Sequence, residues 1–444
     1  MARIYPFRAW RYNPSLVRPE DVVTQPYDKI TPAMQQSYYQ RSPKNLVRII
    51  LGLPELFDSA ENNVYTRAAE NFRDWRAESV LIQDNDPSIY AYSQRYEVPG
   101  SPGVIQERRG FIALGELADY SQNIVFRHER TLAKPKSDRL NLLRATRAHF
   151  GQIFMLYSDP GQTAEKLLFS NPTNPDIEVT DEYGVLHRVW KIAEPGTINM
   201  LLSAMQDKKL IIADGHHRYE TALQYSREHT DAPSTLAHQR STNSLPQPAF
   251  PEAATMMTFV NMDATGLTIL PTHRIVHGLK AFDPAAFVKN AARYFDVQPV
   301  PGSGTEAILR QLAEAGKLGA SFVAVTRTGS YLLTAKKAAI EARLQEQPER
   351  QRRLDIVQLH SVILEDLLGI SQQDVLDQKN LRYLRDATEA MQQVRNGDAD
   401  VAFLMNPVRL DQLREVAFAG DVMPQKSTDF YPKLLSGLAI YALD

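Results

Sequence analysis

The chain has 444 residues, more than one hydrophobic core usually spans, so two or three lobes are expected. At 43% hydrophobic and 23% charged it has the composition of a globular protein rather than a disordered one. Fifty basic residues against 52 acidic ones argue against a general nucleic-acid binder, and the absence of cysteine excludes disulfides, thiolate zinc sites and cysteine nucleophiles.

The opening Met1-Ala-Arg-Ile-Tyr-Pro-Phe-Arg-Ala-Trp10 lacks the apolar run of a signal peptide. No apolar stretch approaches the roughly 18–20 residues that cross a bilayer. The expectation is a soluble, cytoplasmic protein with neither membrane nor nucleic acid as partner. Along the chain, the branched run at 45–53 predicts a buried strand. Val64, Ala68, Phe72 and Trp75 recur at helical spacing and predict a helix over 64–77. Strands at 88–98 and 110–114 flank Pro99-Gly-Ser-Pro-Gly103 and predict a hairpin. A helix follows at 138–148, then strands at 152–157 and 209–213, the second running into a helix at 216–228. Residues 230–252, with four prolines, predict a long loop. Beyond lies a strand at 255–263, then helix, strand, helix and a hairpin turning at Thr328-Gly329. A helix at 355–368, a strand at 400–405 and a helix at 409–419 precede the terminal run. Strands alternating with helices predict an α/β, mixed α+β architecture. Three parts are expected: 1–120, 121–280 and 281–444, the last with a tail that returns to the site.

Ile211-Ile-Ala-Asp-Gly-His-His-Arg-Tyr219 carries the strongest local signal. A buried strand ends in Asp214-Gly215 and a helix begins at once, offering first-turn N–H groups to an anion. Gly215 permits close backbone approach, while His216, His217 and Arg218 add donors and charge. A second constellation is His128-Glu129-Arg130-Thr131 with Lys136, Asp138 and Arg139, where a carboxylate among cations could take a proton from a hydroxyl. A third is Leu270-Pro-Thr-His273-Arg274, a phosphate or substrate contact set against the plainer reading of a core histidine. The fourth is Lys426-Ser427-Thr428 with Lys433; the glycines of a Walker A loop are missing there. Neither an H-E-x-x-H, nor a G-x-G-x-x-G after a strand, nor a G-x-S-x-G elbow is present.

Asp214-Gly-His-His-Arg218 resembles the signature of the ParB/sulfiredoxin-like superfamily. Pro26-Tyr-Asp28, His128-Glu129-Arg-Thr131, Lys136-Ser-Asp-Arg139, Leu270-Pro-Thr-His-Arg274, Met423-Pro-Gln-Lys-Ser-Thr428 and Tyr431-Pro-Lys433 resemble blocks of domain-of-unknown-function family 1015. That resemblance implies a ParB/sulfiredoxin-like core elaborated by N- and C-terminal α+β lobes. It also implies a pyrophosphate-dependent serine kinase activity, with Glu129 as catalytic carboxylate.

The leading expectation is therefore a small-molecule kinase passing a phosphoryl group from pyrophosphate, ADP or ATP to a hydroxyl acceptor, free L-serine above all. Glu129, with Asp214 as runner-up and His128 beside it, would act on the acceptor proton. Gly215, His216, His217, Arg218, Lys136, Lys426, Ser427 and Thr428 would hold phosphate, and His273, Arg274 and Lys433 the substrate. Mg²⁺ is implied by the chemistry, though no motif marks its ligands. The alternative is a ParB-like nucleotide-binding regulatory protein without kinase activity. A hydrolase metal gripped by Asp214, His216 and His217 is disfavoured, because adjacent helical residues point about 100° apart. Oligomeric state is open, with a homodimer compatible.

Overall fold

A computed structural model describes residues 2–129, 133–170, 173–230, 245–302 and 304–444. The fold is mixed α+β, and the chain divides into two compact units. The first comprises residues 1–127, 131–268 and 432–444; the second comprises 128–130 and 269–431.

The first unit is built on a nine-stranded sheet. Its strands are β1 (Ile4–Tyr5), β2 (Ile89–Glu97), β3 (Ile105–Glu116), β4 (Val125–Phe126), β5 (Ile153–Tyr157), β6 (Ile177–Thr180), β7 (Leu186–Ile192), β8 (Leu210–Asp214) and β9 (Ala254–Asn261). The order is β4-β8-β5-β9-β3-β2-β7-β6, with β1 also on β3. The hairpin β2–β3 pairs antiparallel from Tyr90↔Ile112 to Glu97↔Ile105. β3 also pairs along its length with β9. A boundary at residue 120 would thus cut one continuous sheet, which is why the expected three-part division does not appear. Hydrogen-bonded pairing, which sequence spacing does not reveal, welds the first two parts together.

Helix α1 (Val64–Ala77) begins at Asn63, whose side chain accepts from the backbone N–H groups of Tyr65 and Thr66. It buries Ala68, Phe72 and Trp75. Helices α2 (Ala133–Thr146), α3 (Pro195–Met205) and α4 (His216–Glu228) are among the others of the unit. One core cluster joins Phe111, Met155, Ile212 and Phe259 of the sheet to Ile198, Leu201 and Tyr219 of the helices. A second joins Ile49, Ile50, Phe72, Trp75, Leu142 and Phe150.

The run at 45–53 is no strand. Val47–Ile50 forms a single helical turn, started by the Asn45 side-chain oxygen accepting from Val47 N–H at 3.0 Å. Apolar periodicity cannot separate a short buried strand from a buried turn, and here the Asn45 side-chain hydrogen bond favours the turn.

The second unit holds a six-stranded antiparallel sheet. Its strands are β10 (His273–Val276), β11 (Phe295–Val300), β12 (Ser321–Thr326), β13 (Gly329–Ala335), β14 (Leu381–Leu384) and β15 (Val401–Met405), in the order β11-β13-β12-β15-β10-β14. Helices α5 (Pro284–Ala291), α6 (Thr305–Gly316), α7 (Ala387–Asn396) and α8 (Leu410–Phe418) accompany it. Ile275, Val323 and Leu404 pack with Ile308, Leu312, Met391 and Val394. The helix expected over 355–368 is one α-turn, Asp355–Gln358, continuing as a π-helix, Leu359–Leu367. Of the long loop expected at 230–252, residues 231–244 lie outside the described residues.

Candidate functional site

The expected site residues fall into two clusters, one in each unit. In the first unit the β8–α4 junction forms as expected. Gly215 is the helix N-cap at φ 93° and has no side chain of its own to cap the first turn. A Cβ there would meet the Arg218 guanidinium at 3.1 Å on a backbone L-residues rarely adopt, so both geometry and space favour glycine. Arg218 folds back over this turn. Its Nη2 donates to Asp214 Oδ2 at 3.0 Å, and its Nη1 donates to the Gln152 carbonyl.

The Lys433 ammonium stands 3.5 Å from the other Asp214 oxygen and keeps only 7% of its side chain exposed. Burial pushes the Asp214 carboxyl up, but the charges of Lys433, Arg218, Lys29 and His216 more than reverse this and hold it well below the usual carboxylate range. One carboxylate among those cations leaves a positive field at the helix start. His216 is buried and His217 half-buried. A cavity of about 70 Å³ adjoins, lined among others by Tyr27, Arg139, His149, Arg218, Thr221 and Ser436. Arg139 stacks on the Tyr27 ring at 4.0 Å. Three of the resembling blocks, at 26–28, 136–139 and 214–218, thereby meet within one unit.

Lys136 differs from expectation. Its ammonium is ion-paired with Glu220 of α4, an acid the sequence reading did not weigh, so its charge is already matched. Also missed were the buried side chains that set the 432–436 segment. Gln94 Nε2 donates to the Lys433 carbonyl at 2.8 Å, Arg108 donates to the Pro432 carbonyl, and Gln152 Nε2 donates to the Leu435 carbonyl at 3.2 Å. Two buried glutamines and a strand arginine carry no motif, and only pairing partners far away in sequence identify them.

In the second unit, the chain at 128–129 adds a bridge beside Met423, whose N–H donates to the His128 carbonyl at 2.7 Å. Thr428 N–H and hydroxyl both donate to Glu129 Oε1, at 3.0 and 3.1 Å. His128 Nε2 lies 2.7 Å from the same hydroxyl oxygen. With the hydroxyl proton given to Glu129, His128 Nε2 is the donor to Thr428, so the three form a directed chain. His128 is fully buried and meets Phe430 edge-on at 6.4 Å. Asp429, next along, is ion-paired to Arg385.

The remaining residues are placed otherwise than a phosphate clamp would need. Lys426 is exposed, in the left-handed region at φ 55°, and offers Arg274 its carbonyl at 2.8 Å. Ser427 is buried and donates to the Pro424 carbonyl at 2.5 Å, closing a turn. Phe430, Tyr431 and Leu434 are buried, and so is Lys433. His273 Nδ1 accepts Met405 N–H at 3.1 Å, and burial followed by the Arg274 charge pushes the imidazole down to about 4. It serves the sheet as a neutral acceptor, which is the core histidine that sequence alone could not choose.

Among the described residues no group of three or more His, Cys, Asp or Glu side chains could hold a metal ion. The Asp214 carboxylate already faces Arg218 and Lys433, so these residues do not make a Mg²⁺ cage. No helix among the described residues is long and apolar enough to cross a membrane.

The chain is thus a mixed α+β protein with a cation-rich helix start in one unit and a His–Thr–Glu chain in the other. The family model described as "Protein of unknown function (DUF1015)" matches residues 4–357, and the chain belongs to that family. Among curated proteins no match is found. Among solved structures, a free serine kinase variant in complex with AMP is similar at 10% identity, covering 76% of this chain and 90% of that one with a TM-score of 0.34. A C-terminally truncated SbnI from Staphylococcus aureus is similar at 9% identity, over 73% and 85%, with a TM-score of 0.34. A conserved hypothetical protein from Pyrococcus furiosus is similar at 12% identity, over 69% and 87%, with a TM-score of 0.31. Likeness at that level transfers no activity to this chain.

Proposed function

We propose that this protein is a phosphotransferase moving a phosphoryl group from pyrophosphate or a nucleotide to the hydroxyl of a small acceptor, with free L-serine the first candidate. The observation that carries the reading is the β8–α4 junction, where a helix start opened by Gly215 sits among Arg218, Lys433 and Lys29. Phosphoryl transfer asks a protein mainly for positioning and for positive charge around the moving group. Oriented N–H groups and a guanidinium supply both.

In this reading Glu129 takes the acceptor proton, its oxygen aimed by the two Thr428 hydrogen bonds and Thr428 aimed by His128. Asp214 is the poorer base, because the cations around it hold it ionised. Its part is to anchor Arg218 and Lys433. A magnesium ion would travel with the donor, bound chiefly by phosphate oxygens and water.

The test is a matrix of phosphate donors against hydroxyl acceptors with purified protein, followed by phosphorus NMR. A new phosphomonoester signal with one donor–acceptor pair, lost in Glu129→Gln, is the expected result. Donor binding without any product across the matrix would favour the nucleotide-binding regulatory reading, and neither binding nor product would refute both.

A further inference from the structure

The cavity beside Arg218 in the first unit has a wall of mixed character. Among its described lining residues Ile50, Leu142, Leu143, Phe150 and Ile153 are apolar, and none is an acid. Its two cations are already matched, Arg139 by Asp138 and Arg218 by Asp214. The polar groups left uncommitted are neutral. Ser436 is 3% exposed, and its hydroxyl has no hydrogen-bond partner among the described residues. His149 is bonded through Nδ1 to Thr255 Oγ1 at 3.2 Å, and burial pushes its imidazole down to about 4, so the ring is uncharged. Thr221, nearly one turn along α4 from Arg218, is 4% exposed, and its hydroxyl has no partner among the described residues.

Gly151, also in the wall, shows where these groups leave room. A Cβ there would lie 3.3 Å from Arg218 Nη1 and 3.5 Å from Ser436 Oγ, so both atoms border one gap that the glycine keeps open. Nη1 carries two hydrogens and gives one to the Gln152 carbonyl. An oxygen in the gap can accept the other and exchange a hydrogen bond with Ser436. A hydroxyl suits both neighbours, since it donates and accepts. An ammonium would find no counter-charge in this wall, and a carboxylate no unmatched cation. A void of about 150 Å³ takes benzene, so one of about 70 Å³ takes roughly three heavy atoms.

We propose that this cavity binds an uncharged hydroxyethyl-sized group, with its oxygen between Arg218 Nη1 and Ser436 and its carbons against the apolar wall. The group is ethanol itself or the end of a longer hydroxyalkyl compound that enters past half-buried Tyr27 and Arg139. The site stands apart from the kinase reading, and its test involves no turnover.

The full-length protein is titrated with ethanol while saturation transfer to the ethanol methyl protons is followed by NMR. Saturable binding in the millimolar range is expected, which is what so few heavy atoms allow. Ser436→Ala removes one hydrogen bond and raises the ethanol dissociation constant roughly five- to tenfold. Xenon, which needs no hydrogen bond, binds wild type and that variant alike. Gly151→Ala fills the gap and abolishes ethanol binding. A tenfold or greater preference for 2-hydroxyethyl phosphate over ethanol would identify the occupant as the end of a longer anionic compound reaching past Arg218, and equal affinity would identify a free alcohol. Ethylammonium or acetate displacing a comparable share of ethanol overturns the proposal. So does ethanol binding that is absent, or equal in wild type and Ser436→Ala; that variant decides the matter should Gly151→Ala fail to fold.

Discussion

The two units treat their carboxylates in opposite ways. Asp214 is gripped by charge, with Arg218 on one oxygen and Lys433 on the other. Glu129 is gripped by neutral donors, the N–H and hydroxyl of Thr428. A carboxylate locked between cations is an electrostatic anchor, costly to remove and poor at moving protons. One held by oriented neutral groups can be aimed at a substrate. Acidic residues of similar promise in the sequence therefore divide into a structural acid and a candidate chemical one.

That contrast is broken most sharply by Glu129→Gln. It keeps the shape and removes the proton acceptor, so turnover in the proposed reaction should fall roughly 10²–10⁴-fold while the unfolding midpoint moves little. Near-normal turnover would give the role to another group. The opposite pattern is expected of Asp214→Asn. Removing one partner of a fully buried ion pair costs about 3–5 kcal/mol. Asp214 keeps 24% of its side chain exposed, and solvent screening lowers the expected loss to about 2 kcal/mol, read by urea unfolding. Its depressed carboxyl contributes stability above the ordinary carboxylate range and loses it as pH falls through the folded value, so the difference between wild type and Asp214→Asn should shrink in acid.

Thr428→Val sharpens the comparison from the other side. It deletes the hydroxyl linking His128 to Glu129 but leaves the backbone N–H, and turnover should drop by roughly tenfold, about one hydrogen bond. Asp355→Asn probes a third kind of acid. Burial raises this carboxyl to about 7, so its folded state is penalised as pH climbs from the ordinary carboxylate range through that value. The variant should melt higher than wild type at alkaline pH and match it in acid. The smallest effect belongs to Lys426→Ala, which removes an exposed ammonium and leaves the carbonyl held by Arg274; turnover should change less than about twofold.

Local order was readable where side-chain patterning and caps agree. Val64–Ala77 and His216–Glu228 fall within the residues that apolar spacing assigns to them, and the Pro-Gly turn produces its hairpin. The Asp214–Arg218 junction was readable because a strand, a glycine and a helix start are consecutive. What escaped depends on distance. Nothing in Lys136 reveals Glu220, and nothing in Lys433 announces burial against Asp214, since each partner lies far along the chain. Tripeptides such as Lys426-Ser-Thr428 suggest three parallel roles, whereas the backbone turns their side chains to solvent, to a local carbonyl and to Glu129 respectively.

Chain order also sets a schedule for biosynthesis. His128 meets Thr428 across 300 residues, and Asp214 meets Lys433 across more than two hundred. Ribosomes add roughly 5–20 residues per second, so neither cluster can close until many seconds after its first members have emerged. Fragments released before Thr428 would carry the helix start and the glutamate but neither of their late partners. The protein cannot acquire its candidate chemistry piecemeal; the chain must be made past Thr428 before the one cluster is whole and past Lys433 before the other is.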